Sequence, residues 1–166
     1  MVIREHKSVR LLTKSGLDWA KRFPWIVETA LKLREDRFVI DGEAVPLRVD
    51  GISDFDGLHS RKHGDEVQFY AFDMLAGGGD DHRKLTLSLR KQNLAQLLAR
   101  RVDGIHLAPY EEGEIGPDLF RHACLMGLEG LVPKHRERPY RAGKCQHWVK
   151  VKNRTHPAFS HVQDQF

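Results

Sequence analysis

Three short clusters in the chain hold residue types that are mutually useful for one reaction. In Asp41-Gly42-Glu43 a carboxylate stands beside a glycine. The carboxylate can hold a hard divalent ion or a ribose hydroxyl, and the glycine lets the backbone turn or come close to a ligand. Read alone, the triplet is a hairpin turn. Glu129-Gly130-Leu131-Val132-Pro133-Lys134 is followed downstream by Trp148-Val149-Lys150-Val151-Lys152. Strand residues i and i+2 share a face, so Lys150 and Lys152 are expected to project together. Two ammonium groups aimed at one point suit a phosphate whose charge grows during displacement. Read alone, alternating lysines guard an edge strand against aggregation. The third cluster, Phe69-Tyr70-Ala71-Phe72-Asp73-Met74-Leu75, offers the Phe72 ring to a purine, although core packing is the commoner role of a phenylalanine.

Elements of both kinds must position these residues. Ser8–Thr13 alternates and ends at Lys14-Ser15-Gly16, a strand running into a turn. Ile26–Arg34 repeats apolar residues at helical spacing after Pro24. Arg37–Asp41 and Glu43–Val49 read as two strands around Asp41-Gly42, with Pro46 marking an edge or bulge. Val67–Leu75 is strand-like and gives way to a loop at Gly77–Asp81. The clearest helix is Leu87–Arg101, with apolar Leu87, Leu89, Leu94, Leu97 and Leu98 and a cap from Thr86 or Ser88. Gly104–Pro109 reads as a strand, Pro117–Met126 as a helix, and Leu128–Lys134 and Trp148–Lys152 as strands. Helices and strands mix without βαβ alternation, which predicts a single α+β domain with antiparallel sheets.

The chain has 166 residues, 40% apolar and 30% charged, which excludes collagen-like, disordered and small disulfide-stapled classes. It lacks a run of the ~20 apolar residues that a membrane span needs, and a reducing cytoplasm is the default. The charge is uneven. Lys134–Arg154 carries eight basic residues and one acid, for +7, while the rest of the chain is −3. Such a block is either a polyanion site or a solvated basic face.

Taken together and in order, DGE, YAFD, EGxxxK and WxKxK resemble the nucleotidyltransferase motifs of ATP-dependent DNA ligases. Leu12-Thr13-Lys14-Ser15-Gly16-Leu17-Asp18-Trp19-Ala20-Lys21-Arg22-Phe23-Pro24 and Arg138-Pro139-Tyr140-Arg141-Ala142-Gly143-Lys144-Cys145 add to the likeness, which is greatest with the bacterial end-joining branch. The resemblance runs from about Val9 to the end. It implies nucleotidyltransferase-type antiparallel sheets flanked by helices, with ATP and Mg²⁺ as cofactors. It implies nicked double-stranded DNA as partner, alongside other repair proteins, in the bacterial cytoplasm near the nucleoid and away from membranes. By the same resemblance Glu43 lies near ribose and metal, Phe72 stacks on adenine, and Glu129 is the second metal-binding acid. Lys134, Lys150 and Lys152 then contact the α-phosphate and the departing pyrophosphate, and Lys14 and Lys144 join the nucleotide contacts. The family commonly has Arg at the last two positions; Lys keeps the charge without the bidentate fork. Pro133 removes a backbone donor beside Lys134 and is expected to bend the strand.

The family's nucleophile, the lysine of K-x-D-G, does not occur in the chain. Arg48-Val49-Asp50-Gly51 and Arg101-Val102-Asp103-Gly104 come nearest, but arginine does not deprotonate. Against the family pattern Met1 falls just after that motif, and the chain stops near Phe166, before the family's OB-fold domain. The expectation is a partial adenylation domain over 1–166, unable to adenylylate itself, with an unpaired sheet edge. The alternatives are a non-catalytic nucleotide- or DNA-binding module, a gene remnant, and an RNA ligase or capping-type nucleotidyltransferase. His59 and His63 share i, i+4 spacing but lack the H-E-x-x-H pattern, and Gly77–Gly79 is not followed by G-K-[ST]. Cys124 is expected in the core.

Overall fold

A computed structural model of the chain describes residues 1–46, 67–100, 103–114, 116–143 and 145–156. Arg48-Val49-Asp50-Gly51, His59, His63, Arg101 and Lys144 lie outside the described residues. A hairpin opens the fold: β1 (Val2–Glu5) pairs antiparallel with β2 (Ser8–Leu11), in register from Val2 opposite Leu11 to Glu5 opposite Ser8. Helix α1 (Pro24–Lys32) starts on a proline, whose missing N–H costs nothing in a first turn. It buries Ile26, Thr29 and Ala30. Arg4 of β1 secures its end, Nη1 lying 2.9 Å from the carbonyl oxygens of Ala30 in the last turn and of Leu33 and Glu35 just beyond.

The two strands expected on either side of Asp41-Gly42 are one, β3 (Arg37–Pro46), and the triplet is not a turn. The strand pairs antiparallel with β1 and with β4 (Val67–Gly77). Gly42 is needed for contact between these strands: a Cβ there would lie 2.5 Å from the Tyr70 carbonyl oxygen and 2.6 Å from the Phe69 ring. Opposite it the register slips, Asp41 facing Asp73 and Gly42 facing Ala71, which leaves Phe72 as the extra residue of a β-bulge.

The expected loop at Gly77–Asp81 is a tight hairpin, because Gly78 and Gly79 take positive φ and return the chain as β5 (Asp80–Asp81) along β4. Helix α2 (Leu87–Leu97) is capped by Thr86, whose hydroxyl accepts from the Leu89 N–H. Strand β6 (Ile105–Leu107) then pairs with β4 in parallel, a departure from the all-antiparallel expectation. The connection through α2 makes it possible, since a parallel neighbour needs a long crossover. The main sheet runs β2-β1-β3-β4-β5, with β6 also on β4. One apolar cluster joins Val2, Ile26, Ala30, Phe38, Ile40, Phe69, Met74 and Leu94, locking α1 and α2 onto the sheet.

Helix α3 (Pro117–Leu125) leads into a small ribbon of β7 (Gly130–Leu131) and β8 (Val151–Lys152). Both strands are shorter than their sequence patterns suggested. The ladder lapses at Val132-Pro133 and resumes as a single bridge between Lys134 and Trp148, as expected where proline removes a donor. Gly130 is obligatory, for a Cβ there would run into the Val151 carbonyl oxygen. Cys124 is only half-buried and not a core residue; α3 buries Ala123, and Leu125 and Met126 stand exposed.

Candidate functional site

Strand alternation sends Gly42 toward Phe69 and the core, so Asp41 and Glu43 point to the opposite face of the sheet. Toward that face come groups from the β7–β8 ribbon, some ninety residues later in the chain. The Glu129 carboxylate forms an ion pair with Lys150, Oε1 to Nζ 3.1 Å. Both groups act on Glu43, whose carboxyl is raised above its ordinary range chiefly by partial desolvation. The Lys150 ammonium opposes that shift and the Glu129 charge adds to it. Lys152 lies opposite Gly130 in the ribbon and is half-buried.

Beside this carboxylate–ammonium group sits an aromatic one. The Lys134 ammonium lies 4.1 Å from the centroid of the Phe72 ring and 4.5 Å from that of Trp148. The Tyr140 ring meets Trp148 edge-on at 5.6 Å. Burial pushes the Lys134 amine below its ordinary pKa, with Asp73 and Asp41 acting in the other direction. Asp73 itself is fully buried and held by the fork of Arg90, Nε to Oδ1 at 2.8 Å and Nη2 to Oδ2 at 3.0 Å. The remaining arm of Arg90 donates to the Leu85 carbonyl at 2.7 Å, so a buried charge pair is also satisfied in hydrogen bonds.

The backbone carrying Lys134 is fastened on two sides. Val149 N–H donates to the Pro133 carbonyl and His135 N–H to the His147 carbonyl. The first turn of α2, which has N–H groups to spare, donates from Leu87 to Arg138 O at 3.1 Å and from Ser88 to Arg136 O at 3.0 Å.

Glu43, Glu129 and Lys150 are thus brought together, as are Phe72 and Lys134. Lys14 stands exposed in the turn after β2, with no hydrogen bond or ion pair to these groups among the described residues. Lys144 lies outside the described residues. Sequence reasoning passed over Asp41, Asp73, Arg90, Lys91 and Trp148. Asp41, Asp73 and Trp148 sit inside the quoted motifs. Arg90 carried a usable signal, a charge occupying one position of the apolar stripe of α2.

Glu43 and Glu129 supply hard oxygen donors and could hold a divalent cation that takes its other ligands from phosphates and water. Among the described residues there is no group of three or more acidic, His or Cys side chains that would hold a metal without such help.

The family model of the ATP dependent DNA ligase domain matches residues 1–152. The multifunctional non-homologous end joining protein LigD of Pseudomonas aeruginosa is 32% identical over 151 residues, 89% of this chain and 18% of that protein. A probable DNA ligase of Nocardioides sp. is 34% identical over 161 residues, 90% of this chain and 31% of that protein. The crystal structure of the ligase domain from M. tuberculosis LigD superposes with a TM-score of 0.72 at 29% identity, covering 91% of this chain and 50% of that one. A mycobacterial DNA ligase D complexed with ATP and MES gives a TM-score of 0.73 at 29% identity, with the same coverage. The chain therefore spans about a fifth of the LigD proteins and about half of the solved ligase domains. A family match over nearly the whole length, on a fold shared with solved members, makes this chain a member of the ATP-dependent DNA ligase domain family.

Proposed function

We propose that the chain forms the nucleotide-binding part of an adenylation domain. It binds ATP with Mg²⁺ and, within a complete ligase, serves the sealing of nicks in double-stranded DNA during bacterial end-joining repair in the cytoplasm. The observation that carries this reading is the meeting of Glu43 with Glu129 and Lys150 across two distant segments, next to an aromatic ring and a second ammonium. Glu43 and Glu129 would hold Mg²⁺, which supplies charge neutralisation at the phosphates when bound. Lys150, Lys152 and Lys134 would stabilise the negative charge that grows on the α-phosphate and the departing pyrophosphate, and Phe72 would stack on the adenine. Catalysis of this kind is mainly positioning and electrostatics, which is what these residue types provide. No helix among the described residues is long and apolar enough to cross a membrane.

A second reading concerns these 166 residues by themselves: holding no K-x-D-G, they bind nucleotide without taking it up covalently. One experiment addresses both. The chain is incubated with Mg²⁺ and ATP labelled on the α-phosphate, then divided between equilibrium dialysis and a denaturing gel. Reversible binding is expected, weakened about tenfold by Phe72→Ala through loss of stacking, with no label on the denatured chain. Failure to bind would refute the nucleotide reading; a retained label would refute the non-covalent one.

A further inference from the structure

The ring assigned to adenine and the ammonium assigned to phosphate are in contact with each other. Resting on the nucleotide reading above, we propose that Lys134 makes the site selective for phosphorylated over unphosphorylated adenine. Its ammonium fills the slot between Phe72 and Trp148 until a phosphate draws it out.

The distances carry the argument. A flat base stacks on a ring at about 3.5 Å, and the Lys134 ammonium already stands 4.1 Å from the Phe72 centroid. The two cannot share that ring face. The ammonium is held there by two ring quadrupoles at once, since Trp148 lies on it at 4.5 Å. Among the described residues no carboxylate lies within ion-pairing distance of it: Asp73 is committed to the fork of Arg90, and Asp41 acts on the ammonium only at longer range. A phosphate offers this ammonium a charge-assisted hydrogen bond, a stronger partner than a ring face. ATP therefore supplies both the base that needs the slot and the group that empties it. Adenosine supplies only the base and must expel the ammonium without recompense. Lys134 is then a specificity-determining residue as well as a phosphate ligand.

The experiment compares adenosine and ATP titrations of the unaltered chain, Lys134→Ala and Lys134→Arg, following binding by equilibrium dialysis. Lys134→Ala is expected to bind adenosine about three- to tenfold more tightly than the unaltered chain, the scale of a partly buried cation–π contact. It should also bind ATP more weakly. Lys134→Arg, whose guanidinium also lies on rings, should leave adenosine binding weak. A second measurement needs no variant: inorganic tripolyphosphate added to the unaltered chain should tighten adenosine binding. If ATP binds the unaltered chain but tripolyphosphate leaves adenosine affinity unchanged, or a folded Lys134→Ala shows no gain for adenosine, this proposal falls alone. If the unaltered chain does not bind ATP at all, the nucleotide reading falls and takes this proposal with it.

Discussion

Lys91 shows how a residue outside every motif can bear on the site. Its ammonium donates to the Phe72 carbonyl at 3.3 Å and lies 3.8 Å from the centroid of the Tyr110 ring. Phe72 is the extra residue of the bulge, so its carbonyl is displaced from the β3–β4 ladder and open to a side-chain donor. Burial first, and the nearby Lys134 charge second, bring the Lys91 amine down to about 8 from an ordinary 10.5. Between those values the unfolded chain binds the proton and the folded chain has released it. Stability from this residue therefore rises with pH across that interval and is smallest below it. Urea melts of the unaltered chain and of Lys91→Met, taken from about pH 7 to about pH 10, should diverge in favour of the unaltered chain as pH climbs. A difference independent of pH would contradict the assignment. Nothing in the spacing of α2 announced this lysine, because its partner is a backbone atom made available by a register slip in another element.

At the level of elements, local pattern was readable and pairing was not. The helices fell where their apolar periodicity and prolines put them, each within a few residues of expectation. The stripe of α2, however, is Leu87, Arg90, Leu94 and Leu97, with Leu89 46% exposed. An apolar residue was expected to face inward and a charged one takes an inner position, because only the Asp73 carboxylate explains a buried guanidinium there. The DGE triplet misled for a related reason. A glycine between acids is a turn signal when no neighbour is known, and here the neighbour is the β4 backbone. Gly42→Ala should accordingly cost about 1–3 kcal/mol, the scale of overpacking in a tight interior. It would be measured as a lowered urea midpoint, and an unchanged midpoint would mean that the β3–β4 contact is not needed.

Across the whole molecule the +7 block of Lys134–Arg154 is not a uniform basic face. Lys134 is turned in among rings, Lys150 is paired with Glu129, and only part of the block is free to meet an outside polyanion. If the chain binds nicked DNA, the logarithm of affinity should fall linearly with that of salt. Lys150→Ala should change that slope by less than one, because Glu129 already holds its ammonium. A full unit would mean that Glu129 does not hold Lys150 in solution. The resemblance to a family pointed to Glu43, Glu129, Lys150, Phe72 and Lys134, which the fold brings into two adjoining groups. Their convergence could not be read from spacing, since it depends on a ribbon folding back over a strand some ninety positions earlier. The fastening of that ribbon has a last consequence. With Pro133, His135, Arg136 and Arg138 all tied through their backbones, the Lys134 amine can travel only by rotation about its own carbon–carbon bonds. Side-chain rotations of this kind run on picosecond-to-nanosecond clocks when unobstructed. Clearing the way for a base then requires no hinge and no opening of the chain.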